Sequence, residues 1–116
     1  MQVRVRVAID VGQTATTPPT VLVVSEDADW REAARRALEH GGYAVLGARH
    51  IGHALVTCLR HAGRVDLLLT EGPCGRRRAD IPDGILSQHP GVRLLHLDAR
   101  PAGREELVAV VAGALV

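Results

Sequence analysis

The chain alternates between short aliphatic runs and longer stretches whose apolar positions recur every three to four residues. Thr20-Val21-Leu22-Val23-Val24 is uninterrupted and β-branched, the pattern of a strand covered on both faces. Ser25-Glu26-Asp27 follows, and then Trp30, Ala33, Ala34, Ala37 and Leu38 at helical spacing, which predicts an amphipathic helix from Asp29 to His40. Asp29 is the expected N-cap, Glu32 its capping-box partner and Gly41-Gly42 the stop. Tyr43 to Ala48 reads as a second strand. Gly52 to His61 reads as a second helix, with Ala54, Leu55, Cys58 and Leu59 inward and Gly63 ending it.

Val65 to Thr70 is the third strand, four of its positions aliphatic, and Glu71 to Ala79 is a loop rich in Gly and Arg. A short helix is expected from Pro82 or Asp83 to Gln88, stopped by His89-Pro90-Gly91. Val92 to Leu97 is the fourth strand. Leu107, Val108, Val111 and Leu115 give Arg104 to Leu115 a helical period. The order βαβαβαβα implies parallel strands, right-handed crossovers and helices on both faces of one sheet. Upstream, Val3, Val5, Val7, Ile9 and Val11 alternate with Arg4, Arg6 and Asp10, the period of a half-exposed strand, expected to be an extra edge. Gly12 to Pro19 is a linker by composition, so residues 1–19 divide from a domain over 20–116.

Composition narrows the chemistry. At 116 residues this is one domain, and with no Phe its core must be aliphatic. Trp30 and Tyr43 are the whole aromatic complement, which excludes a base-stacking platform. Every cationic side chain other than histidine is Arg; Schiff-base catalysis is therefore excluded. A net charge of +1 argues against broad capture of nucleic acid or of a membrane surface. Two cysteines fit a reduced, cytoplasmic setting, and no run has the length of a membrane helix or the core of a signal peptide.

In an open parallel sheet, chemistry collects at the carboxyl ends of the strands. Glu26, Glu71 and Asp98 stand at three such ends and converge if the first and third strands are neighbours. Glu26 and Glu71 are then candidate ligands for Mg²⁺, the alternative being that strand ends are polar because they meet solvent. Arg76, Arg77 and Arg78 form a candidate anion or nucleic-acid site, against the reading of a solvated arginine loop. His50, His53, Cys58 and His61 cannot all share one helical face, so no zinc site is expected of them. Cys74 has no histidine nearby in sequence to act as a base, and nucleophilic catalysis is not expected.

From Thr20 onward the chain resembles the receiver domain of bacterial two-component response regulators. The likeness is carried by Val-Leu-Val-Val-Ser-Glu-Asp-Ala-Asp-Trp-Arg-Glu from Val21, by Gly42-Tyr43-Ala44-Val45, by Ala48 to Leu55, and by Val65-Asp66-Leu67-Leu68-Leu69-Thr70. It implies a flavodoxin-like three-layer α/β/α fold with strand order 2-1-3-4, one βα unit shorter than a full receiver. It also implies a pocket in which Glu71 matches the phosphoacceptor aspartate, Ser25 and Glu26 the two metal-binding acids, Asp98 the conserved hydroxyl, and Arg100-Pro101 the Lys-Pro pair. One acid and the hydroxyl are thus missing from the pattern, and the usual Met-Pro after the acceptor is absent. A carboxylate in place of the hydroxyl would repel an incoming phosphate by about 4 kcal/mol at ~4 Å.

The expectation is a pseudo-receiver of a phosphorelay, not an enzyme and without a cofactor, with Arg100 paired to Glu71 or Asp98. Its partner would be a kinase, an output domain or a second copy, met through the last helix or an open sheet edge; a membrane or nucleic-acid partner is not expected. The alternatives are an active Mg²⁺-dependent phosphoacceptor and an anion-binding module built on Arg76–Arg78.

Overall fold

The computed structural model describes residues 17–116. The expected N-terminal strand and most of its linker lie outside the described residues, and Thr17 to Pro19 have no regular structure. Nine elements follow: β1 (Thr20–Val24), α1 (Ala28–His40), β2 (Ala44–Ala48), α2 (Ile51–Arg60), β3 (Leu67–Glu71), a 3₁₀ turn (Arg78–Asp80), α3 (Asp83–Gln88), β4 (Arg93–Leu97) and α4 (Arg104–Ala114). The strands form one sheet, parallel as the alternation of elements implies and in the order β2-β1-β3-β4 that the resemblance implies.

The sheet divides two aliphatic layers because successive side chains point to opposite faces. Leu22, Val24 and Leu68 meet Ala54, Cys58, Ile81 and Ile85 beneath α2 and α3. Val21, Val23, Leu67 and Leu69 meet Ala34, Ala37, Leu38, Leu107 and Val111 beneath α1 and α4. Residues 21–24 and 67–69 are completely buried, the reason both runs are aliphatic without a polar alternate. Each such side chain contributes roughly 1.5–3 kcal/mol by leaving water. The last helix therefore packs beside α1.

Several boundaries differ from expectation. The N-cap of α1 is Asp27, whose carboxylate accepts from the backbone N–H of Asp29 and Trp30 at 3.0 and 3.1 Å. Asp29 lies inside the first turn, and Glu32 pairs with Arg35 and Arg36 instead of closing a capping box. Leu59 is 55% exposed, because α2 turns its Ala54–Cys58 stripe to the sheet, and the helix stops at Arg60, before Gly63. Glu71 is the last residue of β3, its backbone in register with Leu97. Gly42, at φ +98°, makes the left-handed turn that lets the chain leave α1 for β2.

Candidate functional site

At the carboxyl end of the sheet, Ser25 follows β1, and β3 ends in Glu71 beside it. Ser25 is fully buried, and its hydroxyl donates to Glu71 Oε1 at 2.6 Å while accepting from the Asp27 backbone N–H at 3.1 Å. The loop after β4 carries Arg100 back over this pair. Its Nε donates to Glu71 Oε2 at 3.1 Å and its Nη2 to Oε1 at 3.4 Å. The third nitrogen, Nη1, lies 3.0 Å from Asp27 Oδ2. The guanidinium carbon stands 5.3 Å from the centroid of the Trp30 ring, a cation–π distance. One side chain thus ties the end of β3 to the cap and first turn of α1.

Each anchor has a local cause. Asp27 can point at Arg100 because its other oxygen is fixed as the cap of α1. Trp30 sits in the first turn of that helix. Pro101 follows Arg100 and restricts its backbone to extended geometry. The electrostatics agree with the geometry. Glu71 first, then Asp27, hold the Arg100 guanidinium above its ordinary range and keep it charged. The Trp30 backbone N–H, and next Arg100, draw the Asp27 carboxyl below its usual value.

Ser25, Glu71 and Arg100 are therefore brought together, and Glu26 and Asp98 are not. Among the described residues, no hydrogen bond or ion pair links either acid to Glu71. Glu26 is exposed. The Asp98 side chain is 86% exposed and faces His96, whose Nε2 is 3.7 Å from Asp98 Oδ1. The strand end turns Asp98 outward where three converging acids were expected. Asp27, read in the sequence only as part of the acidic cluster, takes the second place on the guanidinium. Its signal was its position two residues ahead of the first helical acid, where a cap oxygen reaches the N–H of residue 30.

The remaining candidates separate from this pocket. Arg76, Arg77 and Arg78 are exposed; the Arg77 guanidinium lies 3.6 Å from Asp80. The three line a cavity of about 190 Å³ with Thr70, Ile81, Leu94 and His96. Thr70 Oγ1, which donates to the Gly75 carbonyl, also lies 2.8 Å from His96 Nδ1, a pair the sequence did not suggest. His50 Nδ1 accepts from the His53 N–H at 3.0 Å and caps α2. Cys58 is in the core. Burial, and then the negative charges of Glu26 and Glu71, push the Cys74 thiol up, so it is held as a neutral group. No described helix is long and apolar enough to cross a membrane.

This architecture is a four-stranded parallel α/β fold that solved response regulators share. The chemotaxis response regulator CheY4 of Vibrio cholerae superposes with a TM-score of 0.67 at 17% identity, covering 85% of this chain and 100% of that one. A response regulator from Thermotoga maritima gives 0.61 at 20% identity, covering 84% and 98%. A response regulator protein from Burkholderia pseudomallei, with a phosphorylated aspartic acid, calcium ion and citrate, gives 0.59 at 20% identity, covering 84% and 66%. At these identities the likeness is one of fold. No family model and no curated protein matches the sequence.

Proposed function

We propose that this domain is a pseudo-receiver: a protein-interaction module of two-component signalling whose phosphoacceptor pocket is filled by its own ions. The observation that carries the reading is the Arg100 guanidinium on Glu71. An acceptor carboxylate must present a free oxygen to the phosphoryl group, with cations arranged around the transferring charge. Here Oε1 is engaged by Ser25 and Arg100, and Oε2 by Arg100.

Nor does the donor set suit a hard divalent cation. Mg²⁺ requires several oxygen ligands at near-octahedral geometry. Ser25 offers a hydroxyl where the family has an acid, Asp27 is committed to the helix cap and to Arg100, and Glu26 and Asp98 stand apart. The fixed charge of Arg100 replaces that of a metal and holds the β3–α1 junction in a single arrangement. The domain then acts by contact, without catalysis of its own, on a protein partner in the cytoplasm.

The test is intact-mass spectrometry after incubation with acetyl phosphate and Mg²⁺. The expected result is an unchanged mass for the native chain. Stoichiometric acyl phosphate on Glu71 would overturn the proposal and favour the active-receiver reading.

A further inference from the structure

The two edges of the sheet differ in how they meet solvent. On β2 the exposed positions are Ala44 and Gly47, and the Arg31 side chain lies across Gly47, where an added Cβ would stand 3.5 Å from Arg31 Cδ. That edge presents small side chains, with the Arg31 side chain across one face at Gly47. The outer edge of β4 is unlike it. Arg93-Leu94-Leu95-His96-Leu97 pairs only with β3, so its outward backbone N–H and C=O groups have no sheet partner among the described residues. It carries no proline or bulge, and its one charged side chain is Arg93 at the end of the strand. In a full receiver another strand follows here.

We infer that β4 pairs with β4 of a second copy of this chain, antiparallel about a twofold axis at Leu95. Charge complementarity selects this occupant. Arg93 stands at one end of the edge, its guanidinium donating to the carbonyls of Ala114 and Val116 at the end of α4. Asp98 follows the other end, and Glu105 and Glu106 occupy the first turn of α4. A parallel neighbour would set Arg93 beside Arg93 and acid beside acid. An antiparallel neighbour sets the basic end of each copy against the acidic end of the other.

The same operation places Leu95 opposite the partner's Leu95 and Leu94 opposite the partner's His96. Arg93 falls opposite the partner's Leu97, next to the partner's Asp98. Both copies use one patch, so pairing occupies both β4 edges and the assembly closes as a dimer through that contact. A net charge of +1 opposes the approach only weakly. Five paired residues a side make a small interface, and the association is concentration-dependent and salt-sensitive. It is independent of the state of the Glu71 pocket.

Sedimentation equilibrium of the full chain tests this. The weight-average mass is expected to rise from 12.4 kDa towards twice that value as concentration increases. Arg93→Glu is expected to raise the dissociation constant about tenfold, with Trp30 fluorescence and circular dichroism confirming an intact fold. Because cross-strand Cα atoms at the twofold lie ~4.5–5.5 Å apart, Leu95→Cys is expected to form a disulfide-linked dimer on mild oxidation. The native chain, with both cysteines buried, is the control and is expected to stay unlinked. A chain that remains at 12.4 kDa throughout overturns the inference. So does a dimer that ignores Arg93→Glu and does not cross-link at position 95, since its interface lies elsewhere. Hydrogen-exchange protection of the outer β4 amides in a monomer assigns the edge to another segment of the same chain, with the same consequence.

Discussion

His89 is 4% exposed, and both of its ring nitrogens have partners: Nδ1 accepts from the Val65 backbone N–H at 3.2 Å, and Nε2 lies 3.2 Å from the Cys58 carbonyl. The ring joins the entry to β3 with the last turn of α2. Alanine at this position leaves a buried donor and a buried acceptor without partners and opens a space the size of the ring. His89→Ala is therefore expected to lower unfolding free energy by about 2–4 kcal/mol in urea titrations; a loss well below that shows the ring to be dispensable. Glu32 acts through charge. Hydrogen bonds from Arg35, then Arg36, bring its carboxyl from 4.5 to about 2. A carboxyl depressed by folding adds stability in full above its ordinary value, and that stability is lost as pH falls towards the folded value. Denaturation midpoints are thus expected to hold from neutrality to about pH 5 and to fall between pH 4.5 and about 2. In Glu32→Gln the fall should be shallower, and an equal fall in both proteins places the effect on other acids.

At the scale of elements, the loop between β3 and α3 holds two glycines in the left-handed region with different surroundings. Gly72 has φ +67° and open space where a Cβ would go. Gly75 has φ +56°, and its Cβ would stand 2.8 Å from Thr70 Cγ2 and 2.9 Å from Ile51 Cδ1. Gly72→Ala is expected to cost about 1 kcal/mol from backbone strain alone. Gly75→Ala adds the clash and is expected to cost roughly 2–4 kcal/mol in thermal or urea unfolding. Equal costs would mean that the loop moves aside. That contrast is invisible in the sequence, where both residues belong to one Gly- and Arg-rich loop. What the sequence does show is anything set by local periodicity: β1 and β3 by their aliphatic runs Val21–Val24 and Leu67–Leu69, α1 by its Ala34–Leu38 stripe, the parallel sense of the strands by alternation. Local choices between near equals are not legible. Asp27 and Asp29 are both capping residues, and which one takes extended backbone depends on where β1 ends. Arg100 was expected against Glu71 or Asp98; that it takes Glu71, with Asp27 and Trp30 as its other partners, depends on how the α1 cap faces the last loop.

For the molecule as a whole, the question is whether two aliphatic layers on opposite faces of one sheet behave as one body. Neither layer has a floor without the sheet. Leu22 and Leu68 supply it on one side, and Val21, Val23, Leu67 and Leu69 on the other, from the same two strands. A strand that loses its helices on one face exposes fully aliphatic residues there, and its partners on the other face lose their support. The layers should therefore unfold together. The chain carries a natural probe for each. Trp30, its one tryptophan, packs against the layer beneath α1 and α4, while Cys58 and Cys74 both lie in the layer beneath α2 and α3. Trp30 fluorescence and thiol labelling are expected to give coincident urea transitions. Leu107→Ala and Ile85→Ala, one substitution in each layer, should each move both probes by the same amount, about 2–4 kcal/mol. If Ile85→Ala shifts thiol labelling while Trp30 keeps its native midpoint, the sheet does not couple its faces, and the α1–α4 layer with the Arg100 junction is a separately stable unit.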